Sequence, residues 1–252
     1  MIENYKTDSK DSDQTIRFEG PVPQHIGLIM DGNGRWATQR GLRRSDGHRQ
    51  GVENLKRVLE ACGEFGIKYV TIYAFSTENW QRPPAEVRFL IRIIDFYIDR
   101  ELNALHEQGV QLRHIGNIDA LRPRLQKKIQ QAIEKTKNNT SLVLNVAFNY
   151  GGRDEIIRAV RNIVEDGVAA EDVSEELISN YLYTAGQPDP DLIIRTGGDM
   201  RLSNFLTWQS TYSEYYATPI YWPDFDREEL RKAIETFSNR SRRFGRVLDT
   251  ET

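Results

Sequence analysis

Apolar, β-branched runs alternate with amphipathic stretches along most of this chain. The apolar runs predict five strands, at residues 25–30, 69–76, 110–116, 142–150 and 191–198. Apolar residues recur with helical spacing near residues 47–65, 85–107, 119–137, 152–166, 174–184 and 226–239. This alternation predicts an α/β fold with a mainly parallel central sheet flanked by helices. The strands are apolar almost throughout, which agrees because parallel strands are covered on both faces.

The chain divides into a short polar extension and one domain. Residues 1–20 contain no apolar core, so we predict a mobile extension and not a signal peptide. No linker, repeat or low-complexity segment follows, and 252 residues suit one sizeable domain. Residues 21–252 are therefore predicted to form a single domain.

The helix predicted at 85–107 carries two apolar stripes. One stripe consists of Val87, Ile91, Ile94, Ile98 and Leu105. The other lies roughly opposite and consists of Phe89, Ile93 and Phe96. Because an ordinary surface helix has one apolar stripe, two stripes predict burial on both sides. A neighbouring helix or subunit would explain the second stripe, and so would the wall of an apolar tunnel.

Composition narrows the range of functions. The formal net charge of −3 argues against a general nucleic-acid-binding protein. The single cysteine, Cys62, excludes an intramolecular disulfide and a cysteine-rich zinc site, and it fits a reducing compartment. No apolar run reaches the 18 or so residues of a membrane-spanning helix, so we expect a cytoplasmic protein without a transmembrane segment.

Polar, glycine-rich loops follow four of the predicted strands. They are "DGNGRW" at 31–36, "STENWQRP" at 76–83, "GGRDE" at 151–155 and "TGGDMRLSNF" at 196–205. In open α/β sheets, ligands bind beyond the carboxyl ends of the strands. We therefore expect these loops to converge on one polar ligand.

The residue types in these loops favour a diphosphate and magnesium. The chain has no P-loop, no dinucleotide fingerprint, no G-x-S-x-G and no H-E-x-x-H. Backbone N–H groups of a glycine turn bind phosphate oxygens, and Mg²⁺ takes one or two carboxylates plus substrate phosphates. Asp31 is the candidate carboxylate, and the candidate phosphate partners are Arg35, Arg44, Arg195 and Arg201. Taken singly, "DGNG" is also typical of a turn, and such arginines also occur in surface ion pairs.

Taken together, the motifs resemble the cis-prenyltransferase family of the undecaprenyl pyrophosphate synthase type. The resemblance covers about residues 23 to 246 and rests on "HIGLIMDGNGRWA", "GHRQG", "YAFSTENWQRP", "NYGGRDEI", "DLIIRTGGDMRLSNFLTWQSTYSEYY", "WPDF" and "NRSRRFG". It implies the fold of that family with an apolar tunnel, a homodimer and Mg²⁺ dependence. It also implies repeated condensation of isopentenyl diphosphate onto an allylic diphosphate such as farnesyl diphosphate, each step forming a cis double bond.

The resemblance does not decide the chain length of the product or whether this chain is catalytically active. Undecaprenyl diphosphate, a cell-wall carrier lipid precursor, is the default expectation, and bulky Phe89 and Phe96 are candidates for shortening it. The alternatives are a shorter-chain cis-prenyl diphosphate synthase and a catalytically inactive accessory subunit. A phosphatase or nucleotide hydrolase that uses Asp31 is the rival outside the family. We expect no transmembrane segment, and transient membrane contact during release of a lipid product stays open.

The resemblance also implies roles for individual residues. Asp31 would bind Mg²⁺ and help the allylic diphosphate to leave, and Glu214 would be a second metal-linked carboxylate. The allylic diphosphate would be held by Gly32, Asn33, Gly34 and Arg35, bordered by Trp36, with further contacts from Arg44 and His48. The second substrate loop would contribute Ser76, Thr77, Glu78, Asn79, Trp80 and Arg82. Isopentenyl diphosphate would be clamped by Arg195, Arg201, Leu202 and Ser203.

Three of these roles have alternatives. Asn79 matches the position assigned to proton transfer, but a neutral amide is a poor base. It would otherwise position the substrate while the released diphosphate, or Asp31, takes the proton. His48 would relay a proton or donate a neutral hydrogen bond to phosphate. Arg243 and Gly245 would reach the partner subunit's diphosphate site or remain a charged tail.

Overall fold

Six parallel strands form one sheet in a computed structural model that describes residues 18–240. The strands are β1 (His25–Ile29), β2 (Tyr69–Ser76), β3 (Val110–Ile115), β4 (Leu142–Tyr150), β5 (Leu192–Arg195) and β6 (Glu214–Ala217). Their order across the sheet is β3-β4-β2-β1-β5-β6, and every neighbouring pair is parallel. The predicted α/β fold with a parallel central sheet is confirmed.

Seven α-helices cover the faces and edges of the sheet within the described residues. They are α1 (Asn33–Gln39), α2 (Arg44–Glu64), α3 (Pro84–Glu107), α4 (Pro123–Thr136), α5 (Gly152–Glu165), α6 (Glu175–Tyr181) and α7 (Arg227–Ser238). Short 3-10 turns lie at Thr77–Gln81, Ala170–Asp172 and Trp222–Asp224. The sequence pattern did not predict α1 or β6, because both are short and α1 begins among glycine and asparagine residues that are typical of a turn.

The main core lies between the sheet and the α2/α7 layer. Val58 and Cys62 of α2 and Ile234 of α7 are completely buried against the apolar face of β1 and β2. Burial raises the pKa of the Cys62 thiol, so this cysteine behaves as a small apolar side chain. The core therefore fixes the strands whose carboxyl ends carry the polar loops.

Helix α1 packs closely on α2 because two glycines leave room for it. A Cβ atom added to Gly47 would collide with the carbonyl oxygen of Asn33, and one added to Gly51 would collide with the Asn33 side chain. These are the two glycines of "GHRQG", the motif that the sequence singled out. They hold the first turn of α1 against α2, directly after Asp31.

Helix α3 does not bury both of its apolar stripes. Its first stripe packs with α4, where Leu125 and Ile129 belong to the same apolar cluster. On the second stripe, Ile93 is half-buried but Phe96 is 58% exposed. No helix of this subunit therefore covers Phe96 within residues 18–240, and its burial by a second subunit or a ligand stays a prediction.

The termini are only partly described. Phe18 packs edge-on against the ring of Phe65 on the main core. Residues 1–17 of the predicted mobile extension lie outside the described residues, as do Arg243 and Gly245. Between residues 18 and 240, the longest apolar stretches of helix fall short of what is needed to cross a bilayer.

Candidate active site

A polar cleft of about 630 Å³ opens beyond the carboxyl ends of β1, β2 and β5. Many of the predicted site residues line it, namely Asp31, Asn33, His48, Ser76, Glu78, Asn79, Arg82, Arg195, Arg201 and Ser203. They come from four separate stretches of the chain. Three of the four predicted loops converge at this edge, whereas no residue of 151–155 is part of the cleft lining.

Asp31 lies at the centre of the cleft and is held by three donors. Its Oδ1 accepts a hydrogen bond from the backbone N–H of Gly32 at 2.6 Å and lies 3.1 Å from Arg35 Nη2. Its Oδ2 accepts a hydrogen bond from Arg195 Nη2 at 2.8 Å. Gly32 adopts a φ of 101°, and the Tyr221 ring packs where its side chain would be, so this turn requires glycine.

The arginines keep Asp31 ionised. Partial burial acts to raise the pKa of Asp31, but the hydrogen bond and charge of Arg195, the charge of Arg35 and the Gly32 N–H outweigh it. The pKa of Asp31 therefore lies below its usual value. The carboxylate is negatively charged at neutral pH and 31% exposed to the cleft.

Arg195 connects the two ends of the cleft. Its guanidinium is only 9% exposed and donates to the Arg201 carbonyl at 2.6 Å, to Ser203 Oγ at 3.0 Å and to Asp31. Its buried Nε has no hydrogen-bond partner among the described residues. Such an unpaired donor is costly unless a ligand satisfies it.

Asp199 is a site residue that sequence reasoning missed. One of its carboxylate oxygens lies 2.9 Å from Arg201 and 3.7 Å from both Arg35 and Arg195. It therefore balances three of the four predicted phosphate-binding arginines. The available signal was its place in "RTGGDMR", between two of those arginines.

The loop after β2 is anchored by side chains of neighbouring loops. Thr77 Oγ1 donates to Asp154 at 3.1 Å, Asn204 Nδ2 donates to Glu78 at 2.9 Å, and Trp80 Nε1 donates to Asn149 at 2.7 Å. Thr77 and Trp80 consequently face away from the cleft, while Asn79 lines it. Sequence reasoning also missed Asn204, which joins this loop to the Arg201–Ser203 segment.

Asn79 uses its carbonyl oxygen to shape its own loop. Asn79 Oδ1 accepts a hydrogen bond from the Ser76 backbone N–H at 3.2 Å, and the Ser76 side chain accepts one from the Asn79 backbone. This reciprocal arrangement leaves the Asn79 amide group as a donor that faces the cleft.

Two arginines and a histidine surround Glu86 beside the cleft. Sequence reasoning also missed Glu86. Glu86 Oε1 lies 3.2 Å from Arg82, 3.7 Å from Arg44 and 4.0 Å from His48 Nε2. Burial, with the charges of Arg82 and Arg44, outweighs Glu86 and lowers the pKa of His48 to about 4. His48 is therefore neutral near pH 7, and its buried Nε2 has no hydrogen-bond partner in residues 18–240.

Trp36, Leu202 and Gly34 are also outside the cleft lining. Trp36 donates its indole N–H to Asp224 at 2.7 Å, and Arg40 covers its ring at 4.4 Å. It fastens α1 and does not wall the cleft. Leu202 lines a smaller adjacent pocket beside Asp199. Gly34 lies under the guanidinium of Arg44, which would have to shift to admit a side chain there.

Glu214 does not lie near Asp31 within one chain. Ile29 of β1 aligns with Arg195 of β5, which aligns with Ala217 of β6. Glu214 lies three residues before Ala217 on β6, whereas Asp31 lies two residues after Ile29 on β1. Roughly 10 Å or more along the strand direction therefore separates the two carboxylates. Glu214 instead pairs with Arg240 at 2.7 Å. Within this subunit Glu214 is therefore not beside Asp31, and its role as a second metal-linked carboxylate stays a prediction.

The residues of the cleft nevertheless fit Mg²⁺. Residues 18–240 contain no group of three side chains that would bind a metal ion without help from a substrate. Asp31 offers one ionised, partly exposed carboxylate beside donors suited to phosphate. That donor set matches Mg²⁺ bound by one carboxylate together with substrate phosphates.

An apolar cavity of about 180 Å³ continues from the polar cleft. Val52, Leu55 and Ile72 line both spaces. Ile94, Ile98 and Leu105 line the cavity, so the first stripe of α3 forms its wall and not the second. A ligand with a diphosphate head and a hydrocarbon tail would fit the two spaces together.

Known proteins with the same sequence pattern are prenyltransferases. A family model described as "Putative undecaprenyl diphosphate synthase" matches residues 29–245. The isoprenyl transferase of Heliobacterium mobile is 54% identical over 230 residues, covering 90% of this chain and 88% of that protein. The isoprenyl transferase of Clostridium perfringens is 48% identical over 246 residues, covering 96% and 97%.

Solved structures agree with the sequence matches. Lavandulyl diphosphate synthase from Lavandula x intermedia, in complex with dimethylallyl diphosphate, superposes with a TM-score of 0.85 at 36% identity, covering 89% of this chain and 98% of that one. A probable undecaprenyl diphosphate synthase from Campylobacter jejuni superposes with a TM-score of 0.77 at 35% identity, covering 90% and 100%.

Proposed function

Since the chain belongs to the undecaprenyl diphosphate synthase family of isoprenyl transferases, we propose that it condenses isopentenyl diphosphate with an allylic diphosphate such as farnesyl diphosphate. The product is a cis-polyprenyl diphosphate, and we propose undecaprenyl length. The observation that carries this proposal is the junction of two spaces. The polar cleft, which holds the ionised Asp31 among arginines, continues into a cavity walled mainly by apolar side chains.

Arginines and backbone donors bind the two diphosphates in this proposal. Arg35 and the first turn of α1 hold the allylic diphosphate beside Asp31, with Arg44 and His48 at the entrance. Arg195, Arg201 and Ser203 hold isopentenyl diphosphate, and the unpaired Arg195 Nε gains a phosphate partner. Arginine suits this task because its planar fork binds phosphate oxygens bidentately.

The bond that breaks joins the allylic carbon to its diphosphate. When bound, Mg²⁺ would be held by Asp31 and substrate oxygens, and it would supply electrostatic stabilisation of the departing diphosphate. The arginines around Asp31 stabilise the same charge, which is larger in the transition state than in the ground state. The π-bond of isopentenyl diphosphate attacks the allylic carbon, and its C2 then loses a proton.

Asn79 orients isopentenyl diphosphate in this proposal and does not accept the proton. Its carbonyl oxygen already accepts a hydrogen bond from the Ser76 N–H, and a neutral amide is a poor base. Neutral His48 donates or accepts a hydrogen bond and carries no positive charge near pH 7. The released diphosphate is the better base because it is charged and adjacent.

We also propose a cytoplasmic homodimer. On α5, Ile157, Val160 and Val164 share one face and are 49%, 47% and 71% exposed. Such a stripe on an outer helix is typical of a subunit interface. Val160→Asp should shift the mass measured by light scattering from dimer to monomer, and an unchanged mass would exclude this face as the interface.

The experiment for the proposed activity is a condensation assay with labelled isopentenyl diphosphate. Purified protein with Mg²⁺ and farnesyl diphosphate should yield a labelled product that extracts into organic solvent. Addition of EDTA should abolish it, and Asp31→Ala should lower turnover at least several hundredfold, or about 3.5 kcal/mol, without loss of fold. Phosphate release from simple phosphomonoesters without condensation would instead support the hydrolase alternative.

A further inference from the structure

The side of α3 that faces away from the cavity combines aromatic and cationic residues. Arg88, Phe89, Arg92 and Phe96 fall within an arc of roughly 100° around the helix axis. We name these four residues the α3 outer face. Both arginines are exposed, Phe96 is 58% exposed and Phe89 is half-buried. This is the apolar stripe that sequence analysis expected to be covered.

The arginines of the α3 outer face have no acidic partner in residues 18–240. The Arg88 side chain donates no hydrogen bond there, and the Arg92 side chain donates only to the Arg88 carbonyl at 3.3 Å. The two acidic residues on this side of the helix, Asp95 and Asp99, are both paired with Lys128 of α4. Positive charge is therefore left uncompensated beside two phenylalanine rings.

Arg124 extends this positive charge onto α4. It lies one turn before Lys128 on the same helix face, is exposed and forms no ion pair in the described part of the chain. Aromatic residues next to unpaired basic residues are typical of surfaces that bind at the interface of an anionic bilayer.

We propose that the α3 outer face docks on an anionic lipid bilayer. The arginines approach lipid phosphates, and Phe96 enters the headgroup region with Phe89 beside it. Ile94, Tyr97 and Ile98 on the opposite side of the same helix line the apolar cavity. Docking would therefore bring the wall of the cavity to the membrane, and this purpose rests on the proposed synthesis of a lipid diphosphate.

The test is binding of the full chain to vesicles without any substrate. Wild-type protein should sediment with vesicles of equimolar phosphatidylcholine and phosphatidylglycerol but not with phosphatidylcholine alone. Added salt should release it, because exposed charges are screened. One basic residue strengthens binding to an anionic surface about fivefold, so Arg92→Glu should weaken it roughly tenfold or more. Phe96→Ser should weaken it several-fold.

Matched control variants distinguish docking through the α3 outer face from a general effect of net charge and from loss of folding. Lys68→Glu makes the same charge change at the start of β2, and Val173→Ser removes an apolar side chain that is 44% exposed. Both control variants should bind vesicles like the wild type. All variants should keep wild-type turnover with soluble substrates and no vesicles.

Two results would overturn the proposal. One is equal vesicle binding by the wild type, Arg92→Glu and Phe96→Ser, including no binding by any of them. The other is a change of molecular mass in solution for Phe96→Ser, which would mean that a second copy of this chain covers the face. Vesicle binding is measured without turnover, so failure of the condensation assay leaves this test intact.

Discussion

Trp36 shows how a side chain beside a site acts through another element. Its indole N–H donates to Asp224 at 2.7 Å, and the same carboxylate accepts a hydrogen bond from Arg40 at 2.9 Å. Arg40 also covers the Trp36 ring. These contacts fasten α1 to the 3-10 turn at Trp222–Asp224, and α1 carries Arg35. We therefore assign Trp36 to the positioning of the proposed diphosphate donors.

Trp36→Phe removes the indole N–H that donates to Asp224 and keeps an aromatic ring, so it should weaken the attachment of α1 to the Trp222–Asp224 turn. We expect kcat/KM for the allylic diphosphate to fall about tenfold, the usual cost of one such hydrogen bond. The KM for isopentenyl diphosphate should change little, because its proposed donors lie on the loop after β5. Steady-state kinetics with each substrate varied in turn checks this, and equal loss toward both substrates would contradict the assignment.

At the scale of residues, the sequence indicated which side chains lie in the cleft better than it indicated the hydrogen bonds and ion pairs that they form. Asp31, Arg195 and Ser203 were recognised from their motifs, and the structure brings them into contact. Asp199, Glu86 and Asn204 were missed, because their partners are supplied by the fold and no local spacing shows them. Glu214 was assigned to the metal from its motif, yet strand register places it at the other end of β5 and β6.

Gly47 tests how closely α1 must pack on α2. In Gly47→Ala, the added methyl group meets the Asn33 carbonyl, which is backbone and cannot turn aside. We expect a loss of about 1–3 kcal/mol in the free energy of unfolding, together with a large loss of turnover. Gly63→Ala, on the same helix with open space around it, should be neutral or stabilising. Urea unfolding of both variants measures the difference, and equal stabilities would contradict the packing argument.

The wall of the cavity should set product length. Leu105 on α3 lines the cavity beyond the part that is shared with the cleft. Leu105→Ala enlarges it, so the main product should gain at least one isoprene unit, as judged by thin-layer chromatography. Phe96→Ala, on the exposed side of the same helix, is the control and should leave the product unchanged. A longer product from Phe96→Ala would restore the second stripe as the tunnel wall.

The elements that were predicted well are those whose periodicity extends over several turns or strand residues. The bounds of β2 and β4 agree with the prediction, because their apolar runs end at polar residues. Strand β6 was missed because "EYYA" lies at the sheet edge, where half-buried residues show no continuous apolar run. Which side of α3 lines the cavity depends on how α3 packs against α4. The apolar pattern of α3 alone does not contain this information.

At the scale of the whole molecule, acid should destabilise the fold through buried histidines. Burial lowers the pKa of His25 to about 4, against a hydrogen bond to Pro188 and the charge of Asp191. The unfolded chain binds this proton below the ordinary histidine pKa of 6.5, whereas the native state does not until about 4. Stability that is present at pH 7 is therefore lost as the pH falls from 6.5 toward 4.

His25→Gln should reduce this pH dependence. The wild type should lose roughly 2 kcal/mol of unfolding free energy between pH 7 and pH 5 through His25 alone. The variant begins less stable, because His25 Nε2 lies 2.8 Å from Thr71 Oγ1 in the core, but its loss over this range should be smaller. Urea titrations at both pH values measure the slope, and an identical slope in the two proteins would remove His25 from the acid response.

In the proposed function a diphosphate cleft leads into an apolar cavity, and the mass of the reaction product tests this most directly. Purified protein, Mg²⁺, farnesyl diphosphate and excess isopentenyl diphosphate should give polyprenyl diphosphates that exceed the primer by several whole isoprene units. Asp31→Ala should give none above background. A product that stops after one condensation, or intact substrates with several allylic primers tried, would contradict repeated chain elongation in this site.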